Sequence, residues 1–158
     1  MRGRVARNVV DEDAVRVFTE WQRELIEESR VAHLGTISRD GRPHLVPVCY
    51  ALSGGRFWVP IDAKPKTGAV LTRVRNIGRE PRAALLIDRY DEEWARLAWV
   101  RIDCRARVLA TGESSADPLA ALRARYRQYE SMDLEERPLI ELSPERVTGW
   151  QWDRSRTR

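Results

Sequence analysis

The sequence predicts an α+β domain built on an antiparallel, barrel-like sheet. Three observations carry this. From Arg30 onward, apolar residues recur with the two-residue period of strands, most clearly at Ala98, Val100, Ile102, Cys104, Ala106 and Val108. Asp40-Gly41 supplies the positive-φ signal of a hairpin between two such runs. The helical segments are inserted between groups of strands and do not alternate with them one for one, which argues against a doubly wound sheet. Neither GxGxxG nor GxxxxGK[ST] occurs, so no Rossmann or P-loop site is expected.

Taken in order, Asp11 or Asp13 is placed to cap a first helix, with Val17 or Phe18, Trp21 and Leu25 on one face and Glu27 and Glu28 outside. Strands follow at Val31–Ser38 and His44–Leu52, then a turn at "SGG" and a third strand at "RFWVPI". "KTGAVLTRVRNIG" reads as a short helix: Thr67 is its N-cap, Leu71, Val74 and Ile77 share a face, and Gly78 is its C′ stop. "EPRAALLIDRY" is the fourth strand, "DEEWAR" a polar loop, and "LAWVRIDCRARVLATG" the long fifth strand. Its second face carries Arg101, Asp103, Arg105 and Arg107. Asp117-Pro118 opens a last helix with Leu119, Leu122, Tyr126 and Tyr129 in line, Pro suiting the first helical position. "PLIELSPERVTGWQW" ends the pattern as an extended stretch.

A chain of 158 residues fits one domain, taken as 1–158 with 1–12 and 153–158 as flexible ends. A hydrophobic fraction of 42% with 33% charged residues describes a globular protein. No apolar run approaches the roughly 20 residues that span a bilayer, and "MRGRVARNVVDED" lacks the apolar core of a signal peptide, so a cytoplasmic protein without a membrane partner is expected. Cys49 and Cys104 lie far apart in apolar runs without a neighbouring His. Neither metal spacing nor a redox pair is present, and no metal is expected. The formal charge of +4 suits an anionic partner, but most Arg is interleaved with acid and only "WDRSRTR" is a basic tail. A nucleic-acid partner is therefore not expected.

Lys64 and Lys66 are the only lysines among 28 Lys and Arg residues, two positions apart just beyond the third strand. A compact ammonium binds phosphate as a point charge where the planar guanidinium fork fits less well. Strand, basic loop and helix N-terminus in succession form an anion-binding arrangement, with free N–H groups and the helix dipole directed at the loop. Arg73, placed about two turns down that helix, is a third candidate.

The segments "RVAHLGTISRDGRPHLVPVCY", "FWVPIDAKPK", "LTRVRNIGREPRAALLIDRYDEEW" and "LAWVRIDCRARV", in this order, resemble the pyridoxamine 5′-phosphate oxidase-like split β-barrel superfamily. Within it the chain is most similar to the branch of deazaflavin (coenzyme F-420)-dependent enzymes. The likeness spans roughly residues 14–110 and, more loosely, the last helix and "GWQW". It implies an FMN-binding type of split barrel with about six strands, and a homodimer with flavin-type cofactors in grooves at the subunit interface. Carried onto this chain, Lys64, Lys66 and Arg73 hold the phosphate with Thr67 and Asn76 nearby, and Pro47, Val48, Val59 and Pro60 line the ring. Trp99 takes the place of a Gln, and Cys104 that of a Gly, found in flavin-binding relatives. Both departures weigh against an FMN oxidase of pyridoxamine phosphate.

The resemblance thus implies an oxidoreductase that transfers a hydride between coenzyme F-420, or FMN as the alternative, and a small unsaturated substrate. The other reading is a protein that binds or sequesters flavin, deazaflavin or haem without turnover. Arg56, Arg75, Arg101 and Arg105 are candidates for the acidic tail of F-420, against the ordinary role of surface ion pairs worth about 0–1 kcal/mol. His33 and His44, on neighbouring strands, are weighed as a shared catalytic pair, and Tyr50, Tyr90 and Trp94 as a substrate wall. No side chain is assigned as the catalytic group.

Overall fold

The computed structural model describes residues 4–9, 18–61 and 70–152. Eight strands form one antiparallel sheet: β1 (Arg4–Val9), β2 (Ala32–Ile37), β3 (Pro43–Val48), β4 (Ala51–Ser53), β5 (Arg56–Pro60), β6 (Arg82–Arg89), β7 (Ala98–Leu109) and β8 (Leu139–Gln151). The order along the sheet is β3-β2-β6-β7-β8-β5-β4, with β1 beside β8. Three helices accompany it, α1 (Glu20–Glu28), α2 (Thr72–Arg79) and α3 (Ala116–Arg125). This is the α+β, barrel-like architecture expected from the pattern of strands and turns, and the split barrel that the resemblance implies. Its core is formed by the inward residues of β2, β5, β6, β7 and β8, with Leu25 and Ile26 of α1 and Ile77 of α2.

The alternation of the longest predicted strand is realised from Ala98 to Ala106 and slips at the end, where Val108 is half-buried and Leu109 buried. Val100, Ile102, Cys104 and Ala106 are buried, while Arg101, Arg105 and Arg107 are exposed. β7 pairs with β6 on one side and along its whole length with β8 on the other. β8 needs a bend to serve two neighbours on its far side: Leu142 faces Phe57 of β5, whereas Arg146 already faces Val9 of β1. Pro144 falls in that gap, beside a register shift opposite Asp103 and Cys104. A missing N–H is tolerated there because one flank has no strand to bond. Pro43 and Pro47 are likewise confined to β3, the edge strand.

Several predicted boundaries move. The hairpin loop is residues 39–41, with Gly41 at φ 81° and its N–H bonded to the Ser38 carbonyl at 2.9 Å, a three-residue rather than a two-residue turn. The first helix starts at Glu20 after Thr19, whose N–H donates to Gln22 Oε1 at 2.9 Å; Asp11 and Asp13, the predicted caps, lie outside the described residues. Residues 4–9, placed in a free end by the sequence, pair with β8 from Arg4 opposite Gln151 to Val9 opposite Arg146.

The predicted strand His44–Leu52 is two strands, broken at Cys49 and Tyr50. The break has a cause. The Tyr50 ring is fully buried, its hydroxyl donates to the carbonyls of Ile26 (2.7 Å) and Ser29 (3.0 Å), and its own N–H donates to Tyr126 Oη (2.9 Å). The Tyr126 hydroxyl, at the end of α3, thereby takes the place of the ladder at this point, and the Tyr50 side chain is held by carbonyls at the end of α1. α3 itself runs from Ala116, so Pro118 is its third residue, still in the turn whose N–H groups need no helical partner. Leu119, Leu122, Tyr126 and Tyr129 are all buried as predicted, although Tyr129 belongs to a separate 3-10 turn.

α2 begins at Thr72 with Leu71 as N-cap. Thr67, the predicted cap, is therefore not the cap of this helix and lies outside the described residues. Gly78 is inside the helix and not its stop; Glu80, extended at φ −135°, ends it because Pro81 follows.

Candidate functional site

The late start of α2 matters for the site. It moves Arg73 from two turns down a helix to the first turn, where the guanidinium and the positive end of the helix dipole act together. Arg73 is half-buried and lines a groove with Val31, Pro47, Val48, Cys49, Pro60 and Tyr129, about 190 Å³ in volume among the described residues. Its Nε is buried and has no hydrogen-bond partner among them. A buried guanidinium nitrogen left unpaired is costly, and the guanidinium as a whole puts a positive charge at the groove wall, which suits an anion there.

Four of the predicted cofactor residues thus meet at one place: Pro47, Val48, Pro60 and Arg73. Lys64, Lys66 and Thr67 lie outside the described residues, in the segment that joins Ile61 to Val70. Three others are placed elsewhere. Val59 points into the core, since its neighbours in the strand take the opposite face. Asn76 is buried, with Nδ2 donating to Thr36 Oγ1 at 3.0 Å, which ties α2 to β2. Trp99 sits in a separate hollow with Tyr90 and Trp150.

The paired-histidine expectation fails on geometry. His33 stands opposite Pro47 and His44 opposite Thr36, so the two imidazoles leave opposite faces of the sheet. His44 Nδ1 lies 3.4 Å from Thr36 Oγ1, and His33 Nδ1 lies 3.6 Å from Asp88 Oδ1. The aromatic wall also divides: Tyr50 is in the core, while Tyr90 and Trp94 are 71% and 56% exposed. Each candidate for an acidic tail has an internal partner. Arg56 faces Glu141 at 3.9 Å, Arg75 bonds Thr72 at 3.4 Å, Arg101 pairs with Asp103 and Arg105 with Glu145, both at 3.2 Å.

The largest hollow, about 570 Å³, opens elsewhere, between α1, α3 and the β4–β5 turn. Arg23, Arg30 and Arg125 line it, and Arg125 lies 4.8 Å over the Tyr50 ring and donates to the carbonyls of Ile26, Glu27 and Ser29, closing the C-terminus of α1. Size alone does not make it the cofactor site, because none of the residues that the resemblance assigns to the cofactor lines it.

Sequence reasoning missed two groove residues. Tyr129 was read as core, and it is, with its ring 5.4 Å from Tyr126, but it also closes the groove. Cys49, in an apolar run of the sequence, is only half-buried at the groove wall, whereas Cys104 is buried and its thiol donates to the Ile102 carbonyl at 3.4 Å. Burial pushes the Cys104 thiol up, which suppresses its thiolate. Titration of the native protein with a disulfide reagent near pH 8 is therefore expected to modify Cys49 alone, Cys104 reacting only after unfolding; rapid modification of both thiols would contradict this.

Comparison with known proteins agrees with the geometry. The chain is similar to a conserved hypothetical protein from Mycobacterium tuberculosis, with 23% identity over 90% of each chain and a TM-score of 0.68. A structure described as an F-420 reductase is 18% identical over 82% of this chain and 98% of the other, with a TM-score of 0.57. The haem-storage protein HutZ from Vibrio cholerae is 15% identical over 78% of this chain and 87% of its own, also at 0.57. At these identities the likeness shows the fold. No match was found among curated proteins. A sequence profile of the pyridoxamine 5′-phosphate oxidase family matches residues 18–151, nearly the whole folded region, and the chain belongs to that family.

Proposed function

We propose that the chain is an oxidoreductase that binds a flavin-type cofactor in the Arg73 groove, coenzyme F-420 in preference to FMN, and reduces a small unsaturated substrate. The observation that carries this reading is Arg73, whose buried Nε has no partner among the described residues, lining one slot with Pro47, Val48 and Pro60. An apolar slot with one cationic end matches a ring that bears a phosphate arm. Lys64 and Lys66 lie in the sequence between β5 and α2, and on this reading they join Arg73 at the phosphate. When bound, the cofactor supplies the hydride chemistry; the protein holds the phosphate, walls the ring and excludes water.

F-420 is favoured over FMN because Trp99 and Cys104 replace the Gln and Gly of the flavin-binding pattern, and because an F-420 reductase shares the fold. Two copies of the chain are expected to complete the groove. The outer face of β3, β2 and β6 is suited to this, presenting Leu45 at 63% exposure beside Gly35 and Ala84, which stand opposite each other. Light scattering on the purified protein tests the dimer.

Titration with each cofactor, followed by fluorescence, decides between them. Lys64→Ala combined with Lys66→Ala is expected to weaken the bound cofactor more than about tenfold, equivalent to ~1.4 kcal/mol. Unchanged affinity would refute the phosphate role of the loop. The cofactor is also expected to shield Cys49 from modification. Binding in which reduced cofactor persists with every acceptor would favour a sequestering protein, the role named for the haem-storage relative.

A further inference from the structure

The outer face of the sheet carries a second group of side chains that the cofactor groove does not use. Cross-strand partners share a face, so the register alone places them. Pro47 stands opposite His33 and His33 opposite Leu86; two residues along β6, Asp88 stands opposite Trp99, and Trp99 opposite Trp150. Tyr90, Leu97, Trp99 and Trp150, with Asp88 and Arg89, line an open hollow of about 390 Å³. A shallower depression joins it to the groove, sharing Val31 with the Arg73 groove and Asp88 and Tyr90 with the hollow. Val31 and Tyr90, 48% and 71% exposed, are therefore apolar side chains left open to solvent along a single path.

We propose that this aromatic hollow is the substrate subsite, taking a planar ring conjugated to a carbonyl, and that His33, beside Asp88, donates the proton to it. The proposal rests on the cofactor reading above. Two indoles and a phenol offer flat faces on which a planar ring can stack. His33 lies between the two places that matter, opposite groove-lining Pro47 and 3.6 Å from hollow-lining Asp88. Both members of the pair are about half exposed in the single chain, at 47% and 48%, on the sheet face that two copies are expected to share. Asp88 lies nearer Nδ1, and the proposal gives Nε2 to the substrate. His44, the other imidazole, is on the opposite face of the sheet.

Reduction of a conjugated C=C bond needs a hydride at the β carbon and a proton at the α carbon. A reduced flavin or deazaflavin supplies the hydride and with it both electrons. The protein has only the proton to provide: the Nε2–H bond of His33 breaks as the C–H bond forms at the α carbon, and solvent restores the proton to Nε2.

Benzylideneacetone, a planar uncharged enone, is the probe. Equilibrium dialysis against cofactor-free protein is expected to show binding that weakens about fivefold or more in Tyr90→Ala and in Trp99→Leu. Tyr90 is exposed, so its variant keeps the fold even if Trp99→Leu does not. His33→Gln is expected to leave probe affinity unchanged while turnover in the loaded protein falls roughly a hundredfold. Asp88→Asn is expected to lower kcat with KM unchanged, a split that a merely structural role would not produce. Unaltered probe affinity in Tyr90→Ala, or full turnover in His33→Gln, overturns the proposal. Failure of wild-type protein to bind either cofactor would instead overturn the oxidoreductase reading, and the dialysis would still decide whether the hollow binds planar enones.

Discussion

Tyr50→Ala is expected to cost about 3–5 kcal/mol of folding stability, the range for deleting a fully buried aromatic side chain. Against a total of ~5–15 kcal/mol for a domain, such a loss removes a large share of the stability and lowers Tm. The ring is completely buried, tilted against Phe57 at 5.8 Å, and covered by the Arg125 guanidinium. Its hydroxyl joins the end of α1 to the break between β3 and β4. Tyr50→Phe retains the ring and removes only those bonds, so a smaller loss of roughly 1–2 kcal/mol is expected. Urea unfolding of both variants measures the difference, and an alanine variant that loses less than about 1 kcal/mol would refute the keystone role.

The same residue sets an alkaline limit. Burial, acting against the Arg125 charge, pushes the Tyr50 phenol above its ordinary value of 10.0. The folded state holds the proton more tightly than the unfolded one, so the contribution is complete below pH 10 and declines as the pH rises further. Tyr50→Phe is expected to flatten the loss of Tm above pH 10.

Gly149→Ala is expected to cost about 1–3 kcal/mol through overpacking. A Cβ there would lie 2.7 Å from Trp21 Cη2 and 3.0 Å from Gln22 Nε2. The indole is rigid and packs against the core, so it cannot turn aside as the end of a flexible chain would. The glycine is required by the close approach of α1 to β8 and not by its backbone angle, φ being unexceptional. Combining Gly149→Ala with Trp21→Leu is expected to recover part of the loss, since the pair shares one space. A fully additive double variant would show that the contact is not the cause.

The strands and the core of this protein were legible because burial on one face imposes a two-residue period that survives in the sequence. β7 shows it over its length, and α3 announced Leu119, Leu122 and Tyr126 as core by helical spacing. The break at Tyr50 was not legible, because its cause is a hydroxyl from 76 residues away that no local pattern records. Nor was the start of α2, where Thr67 offers a better local cap than Leu71.

For the site, the sequence alone supplied the chemical types: two lone lysines, Arg73, and the prolines of β3 and β5. Sequence order and local pattern were sufficient for these because charge and ring shape belong to the residue. Which of them face one another was decided only by the tertiary structure. Register sent Val59 inward and His33 and His44 to opposite faces, the hydrogen bond to Thr36 engaged Asn76, and the late start of α2 left the Arg73 Nε buried without a partner. Those outcomes depend on pairings between distant segments, and such pairings are selected by packing across the whole barrel rather than by any single stretch of chain.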